Sequence, residues 1–185
     1  MEDENKQIEN LKKFIGYLRE EDELKNIKVV LDIEGSLERY GIDVKWSAME
    51  GFTEPNKIRG YLTIDTTLKN KEGKPMMVIN GNDGEYTRRY TMAYLFGVLC
   101  LRNAYEKGKN IHEDDTYILR EPYKHVSVYH NFAILFLVDT EYLTALRKVY
   151  GCEREDVREE MLSKIFSVCK SHIREVKTIL EKVER

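Results

Sequence analysis

Apolar side chains near the start of the chain recur every three or four residues, the spacing of one face of an α-helix. In residues 5–20 these positions are Ile8, Leu11, Phe14, Ile15 and Leu18. Residues 27–41 repeat the pattern, with a stripe at Val30, Ile33 and Leu37. Because glycine often terminates helices, the pattern predicts two helices, with Gly41 as the C-cap of the second.

The spacing then changes to alternation, which is the pattern of a half-buried β-strand. Residues 42–46 place apolar side chains at every second position, namely Ile42, Val44 and Trp46. These three side chains are therefore predicted to lie on one face of a strand.

Two further stretches, 60–68 and 75–81, have the composition of strands. The segment between them, "KNKEGK", contains Gly73 and suits the turn of a β-hairpin. The loop "NGNDG" ends the second of these strands, and Asn82 or Asp83 is predicted to be the N-cap of the helix that follows.

The second half of the chain is predicted to be mostly helical. Residues 85–106 are apolar on nearly every side, which is typical of a helix at the buried centre of a domain. Residues 107–123 are polar and are predicted to be irregular. Helices are predicted again over 125–138, 139–151 and, as one long amphipathic helix, 153–185.

These elements predict an α+β fold, with a helical body and a small antiparallel sheet on one side. No proline- or glycine-rich linker interrupts the chain, so a single domain over residues 1–185 is expected. Within it, residues 1–27 are predicted to form an N-terminal helical extension, and residues 153–185 the long C-terminal helix.

Composition narrows the function classes. Lys and Arg number 30 and Asp and Glu 33, so the net charge is 30 − 33 = −3, which argues against nucleic acid as a partner. Residues 51–110 carry 10 basic and 6 acidic side chains, net +4, and they are the best candidate for an anionic protein partner. The partner-binding candidates there are Lys57, Arg59, Lys69, Lys71, Lys74, Arg88 and Arg89.

The N-terminal sequence and the cysteines indicate the compartment. The chain starts with "MEDENKQIEN", which lacks the features of a signal peptide, and its apolar runs are too short to span a bilayer. The three cysteines are odd in number and share no C-x-x-C spacing. A cytoplasmic protein with reduced thiols is expected.

The stretch from residue 76 to residue 101 resembles the ImmA/IrrE family of zinc peptidases. "MMVINGND" resembles the family's strand with an Asn-containing loop, and "RRYTMA", followed by Gly97 and Leu99, resembles the start of its metal-binding helix. Upstream "SLERYGIDVKW" and downstream "NFAILFL" and "LRKVYGCEREDVREEML" follow in the family's order. The resemblance covers residues 28–165 and implies a zincin-like metallopeptidase scaffold.

The same resemblance implies that the catalytic residues are missing. The family's HExxH motif places two His ligands one helical turn apart and a Glu that activates the metal-bound water. The first His position is Tyr94, the Glu position is Leu95, the second His position is Val98, and the third ligand falls near Val128. Neither leucine nor valine can bind a metal, so a pseudoenzyme with no metal and no cofactor is expected.

An alternative keeps the chain an enzyme. His130 lies close to the third-ligand position and is predicted to face Tyr94, so a hydrolase with a site rearranged around these two residues is conceivable. His112, in the acidic sequence "HEDD", is a weaker candidate for a cation site. Cys100 is predicted to be a core residue rather than a nucleophile.

A second alternative is a DNA-binding regulator. The segment "LRKVYGCEREDVREEMLSK" has the outline of a helix-turn-helix with Gly151 in the turn. Its second helix opens with Glu153, Glu155 and Asp156, which carry the wrong charge for a phosphate backbone.

These residues favour the interpretation that the protein acts by binding another protein. The family resemblance implies a setting in phages or mobile elements, as an antirepressor-like regulator or an inhibitor of a host defence protein. The expected partner presents an acidic or a nucleic-acid-binding surface. Neither nucleic acid nor a membrane is expected to be the partner.

Overall fold

A computed structural model describes residues 2–21, 30–64, 75–105, 116–121, 126–151 and 153–183. The chain divides into two compact units. A sheet unit comprises Ile33–Ala133, and a helical unit comprises Met1–Asp32 together with Ile134–Arg185. The predicted α+β class is confirmed.

The sheet unit is built on a sheet whose described strands are β1 (Asp43–Ser47), β2 (Ile58–Ile64), β3 (Pro75–Asn80) and β4 (Thr116–Arg120). Their order is β1-β3-β2-β4. β2 pairs antiparallel with both β3 and β4, but β1 pairs parallel with β3. The sheet is therefore mixed, and the prediction of an antiparallel sheet was wrong. The reason is that β1 lies beside β3 rather than beside β2. Both β1 and β3 run opposite to β2, so they run parallel to each other.

β4 lies in a stretch that was predicted to be irregular. Its burial alternates, with Tyr117 and Leu119 on the less exposed side, but the exposed position between them is also apolar, Ile118, so the sequence does not show the alternation of apolar and polar residues by which strands are identified. It is held by backbone pairing with β2 instead.

The first helix of this unit, α2 (Ile33–Arg39), is shorter than predicted, because Val30, Leu31 and Asp32 are not helical. Its end was predicted correctly. Gly41 has a left-handed φ of 73°, and the N–H of Ile42 donates to the carbonyl of Leu37 at 3.0 Å. This is the arrangement for which glycine is favoured after a helix.

Each face of the sheet is covered by a different part of the chain. The long apolar helix α3 (Glu85–Tyr105) packs against β2 and β3 on one face. On the other face a smaller core forms, consisting of Met49, Ile58 and Val78 with Phe52, Tyr61 and Met76. Met49 reaches that core in a left-handed conformation, φ 59°, in which its N–H donates to Ser47 Oγ at 3.1 Å.

The helical unit contains α1 (Glu2–Glu21), α5 (Thr140–Val149), α6 (Glu155–Phe166) and α7 (Lys170–Val183). A further helix, α4 (Ser127–Leu137), begins in the sheet unit and ends in this one. α7 packs against α1 and α6. Among the described residues no helix is both long and apolar enough to cross a bilayer.

The predicted C-terminal helix over 153–185 is in fact two helices. Ser167 adopts a left-handed φ of 54° and ends α6, and the N–H of Val168 donates to the carbonyl of Ser163. Val157, an apolar residue in the first turn of α6, is exposed. Sequence periodicity missed the break because apolar residues continue at similar intervals on both sides of it.

Candidate functional site

The centre of the candidate site is the middle of α3, where the resemblance would place the metal ligands. Two glycines allow close packing around this helix. A Cβ added to Gly60 on β2 would lie 2.9 Å from Thr91 Cγ2, and one added to Gly97 would lie 2.8 Å from Phe132 Cδ1 on α4. α3 is therefore packed closely against both the sheet and the first half of α4.

The side chains at the positions that the resemblance aligns with catalytic residues are part of the core. Tyr94, Leu95 and Val98 are each 0% exposed, and Val128, at the third-ligand position, is 5% exposed. The general-base position and the second ligand position are thus occupied by aliphatic groups that no solvent reaches. Their burial favours folding through the hydrophobic effect.

The polar end of Tyr94 is directed into the protein. Its hydroxyl accepts a hydrogen bond from the N–H of Val126 at 3.3 Å and lies 3.4 Å from the hydroxyl of Tyr117 on β4. Its ring packs edge-on against Tyr129 at 5.9 Å. These contacts give a buried phenol the hydrogen-bonding partner that it requires.

His130 was predicted to face Tyr94, and the hydrogen bond that its ring forms is with Tyr90, one helical turn earlier on α3. The hydroxyl of Tyr90 and Nδ1 of His130 share a hydrogen bond of 2.7 Å, and the two rings meet edge to face. Residues four apart lie on the same side of α3, so Tyr90 and Tyr94 both face this region. The sequence pattern could not show which of the two tyrosines bonds to His130, and in the structure it is Tyr90.

Metal-binding and nucleophilic groups are sparse around this helix. Among the described residues, no three His, Cys, Asp or Glu side chains come together in an arrangement that could hold a metal ion. Cys100 was predicted to be a core residue but is half-buried, and burial raises the pKa of its thiol to about 12, which keeps the thiol protonated at neutral pH. His112 and Cys152 lie outside the described residues.

The predicted basic patch is only partly a free surface. Arg89 is buried, Lys57 pairs with Glu54 at 2.5 Å, and Arg59 is held by two carboxylates. The prediction that these basic side chains are available to a partner was therefore wrong for Arg59 and Arg89. The remaining candidates Lys69, Lys71 and Lys74 lie outside the described residues.

Arg59 joins the loop before α3 to the end of β4. It donates to Asp83 through Nη1 and to Glu121 through Nη2. Asn80 orients this loop, because its Nδ2 donates to the carbonyl of Ile58 at 2.8 Å and its Oδ1 accepts from the N–H of Asn82 at 3.0 Å. Asp83 thus pairs with Arg59 rather than capping α3, whose first backbone acceptor is the carbonyl of Gly84.

Asp83 is an unusual carboxylate in that its side chain is only 8% exposed. Burial raises the pKa of Asp83 above the usual 3.8. The positive charge of Arg59 lowers this pKa, but by less than burial raises it. Arg59 therefore supplies much of the free energy that keeps a buried Asp83 ionised.

Arg88 has a different environment from the other arginines of the patch. Its guanidinium carbon lies 5.2 Å from the centre of the Trp46 ring, and Trp46 is 44% exposed. Arg88 was predicted as a partner-binding residue from its charge, whereas Trp46 was assigned only to a strand face with Ile42 and Val44. The available signal for its exposure was its position near the end of its strand.

Comparison with known proteins leaves the family open, since no protein-family model matches the chain and no curated protein sequence matches it. The resemblance to ImmA/IrrE peptidases therefore rests on the sequence motifs and their order. It stays a prediction.

Proposed function

We propose that this protein is a catalytically inactive relative of the ImmA/IrrE zinc peptidases that acts by binding another protein. The observation that carries the proposal is the burial of Leu95 and Val98, both 0% exposed, where a peptidase would need a general base and a metal ligand. A catalytic zinc needs polar ligands that converge on an open coordination position. Aliphatic packing offers neither.

A loss of this kind has a physical rationale. Buried polar ligands destabilise a fold unless they are paired or bound to metal, and apolar side chains of suitable size stabilise it. A scaffold that no longer hydrolyses peptides is therefore free to fill the site with Leu and Val. The proposed setting is cytoplasmic, as a regulator from a phage or mobile element that is antirepressor-like or inhibits a host defence protein.

The geometry gives less support to a rearranged hydrolase. Tyr94 is fully buried and its hydroxyl contacts Val126 and Tyr117. His130, the conceivable base, is bound through Nδ1 to Tyr90. A tyrosine and a histidine that are each bound to a different neighbour do not form a nucleophile and base pair.

A DNA-binding role is also less well supported. In the helical unit, the turn at Gly151 leads into α6, which opens with Glu155 and Asp156. The carboxylate of Glu155 accepts from Lys177 at 2.5 Å, so one cation of α7 is already neutralised. Such a helix start would meet phosphates with the wrong sign.

Affinity capture from a lysate of the native host, with quantitative mass spectrometry, tests the proposal. We expect the wild-type protein and Tyr94→Phe to retain the same partner in equal amounts, because the phenol has only a structural role. A single cooperative unfolding transition would show that the variant is folded, with a lower melting temperature because the Val126 N–H loses its acceptor on Tyr94.

Two results would contradict the proposal. One is that no protein is retained above the level of the beads alone. The other is that Tyr94→Phe abolishes the biological activity while remaining folded, which would indicate chemistry at this residue.

A further inference from the structure

The cation–π pair formed by Trp46 and Arg88 lies at one edge of the described sheet. β1 is the outer strand there, and Trp46 is in register with Ile79 of β3. Gly60 of β2 also pairs with Ile79 and closely approaches Thr91 of α3, so Trp46 lies on the α3 face of the sheet. The indole is exposed, and Arg88 in the first turn of α3 lies over it.

The hydrogen-bonding groups of Arg88 are not used by the described part of the chain. Arg19 binds Asp139, Arg59 binds Asp83 and Glu121, and Arg174 binds Glu159, but Arg88 forms no ion pair with a described residue. Its charge acts on Asp83 without a direct contact and opposes the rise in the pKa of that carboxyl. Within the described part of the chain its guanidinium is positioned by the ring, and its N–H donors are left for an external acceptor. Because stacking limits its rotation, less side-chain entropy is lost when it binds.

We propose that Trp46 and Arg88 form a recognition site for a protein segment that carries an Asp or Glu beside an apolar side chain. This inference rests on the proposed function and names the chemistry of its partner. The guanidinium binds the carboxylate in a bidentate pair, and the exposed indole packs against the apolar side chain. Tryptophan and arginine are the residue types that most often dominate the energy of protein interfaces.

The local charge favours a carboxylate over a nucleic acid. Nucleic-acid sites combine aromatic rings with several cations that follow the phosphates. Arg89 is buried and Asp83 lies within electrostatic reach of Arg88, so among the described residues at this end of α3 Arg88 is the cation that lies beside the indole. A single carboxylate next to an apolar group matches that pairing.

The fluorescence of Trp46 gives a direct test, because it is the only tryptophan in the chain. The full-length protein is titrated with a short soluble peptide in which glutamate alternates with leucine, with the same peptide carrying lysine for glutamate, and with single-stranded oligothymidine. We expect a saturable change in emission with the glutamate peptide alone.

Substitutions then assign the binding to Arg88. Arg88→Gln is expected to weaken binding of the glutamate peptide by about tenfold, which corresponds to about 1.4 kcal/mol. Arg88→Lys, which keeps the charge but not the planar guanidinium, is expected to recover only part of that loss. The matched control is Arg120→Gln, an exposed arginine on β4, and it should bind as the wild type does.

The inference is overturned if the glutamate peptide gives no response, if the lysine peptide binds equally well, or if Arg88→Gln binds like the wild type. A response to oligothymidine alone would make the site a nucleic-acid contact. These outcomes can be distinguished from failure of the proposed function. If capture of a protein partner is unaffected by both Arg88→Gln and Tyr94→Phe, the protein still binds a partner, but the binding surface is not the Trp46–Arg88 site.

Discussion

We expect Val98→Asp, which places a carboxylate in the middle of α3, to lower the free energy of unfolding by about 5 kcal/mol. Val98 is completely buried, so the substitution removes its contribution to burial, about 2 kcal/mol, and adds a polar group without a partner. Since whole domains are stable by only about 5–15 kcal/mol, this loss removes about a third or more of the stability, and at the low end of that range a large fraction of the molecules would be unfolded at room temperature.

The measurement is thermal and urea unfolding followed by circular dichroism, with two comparison variants. Val157→Asp introduces the same carboxylate at an exposed position in the first turn of α6, where the helix dipole favours it, and should be tolerated. Val98→Ala keeps the site apolar and should lose about 2 kcal/mol. A soluble Val98→Asp protein with the wild-type melting temperature would show that α3 is not the buried helix described above.

Removing the cation that holds the loop before α3, with Arg59→Met, is expected to lower the free energy of unfolding by about 2–3 kcal/mol near neutral pH. The loss arises because Asp83 is left ionised in a buried position, while the more exposed Glu121 can return to water. The magnitude is below that for a fully buried pair because Arg59 and Glu121 are partly solvated.

The effect of Arg59→Met should depend on pH in a defined direction. The pKa of Asp83 in the folded protein is raised above 3.8, so the stability associated with this group is greatest below that pH and is lost as the pH rises through the folded value. Without Arg59 the folded pKa rises further. The variant should therefore lose less stability at about pH 4 than at about pH 7.

Urea unfolding at the two pH values checks this dependence, with Arg154→Met, a substitution of an exposed arginine of the helical unit, as the control. The control should match the wild type at both. An equal loss at both pH values for Arg59→Met would mean that Asp83 does not carry the effect.

Local periodicity was sufficient to predict the elements whose apolar residues follow one spacing. α3 and the C-cap at Gly41 were predicted close to their observed positions because a continuous apolar helix and a glycine stop are local signals. The mixed sheet was not predictable in this way, because which strand lies beside β1 is a matter of tertiary pairing. The break at Ser167 was missed because a single left-handed residue leaves the apolar content of the sequence unchanged.

The candidate site was predicted from the sequence only in part. The motif positions Tyr94, Leu95 and Val98 were predicted to be packing residues, and all three are buried. The basic patch was inferred from charge along the chain, which does not indicate that Arg59 is paired with two carboxylates from other segments. The importance of Arg88 likewise depends on Trp46, which is 42 positions earlier in the chain and meets it only in the folded protein.

The zinc content of the protein, purified without a chelator and measured by elemental analysis, tests most directly whether α3 has kept its packing role and lost its metal. Because Leu95 and Val98 are buried aliphatic side chains, we predict far less than one zinc per chain, and no change in the melting temperature when a chelator is added. About one zinc per chain, lost in His130→Ala, would contradict this account and place a working metal site beside the helix.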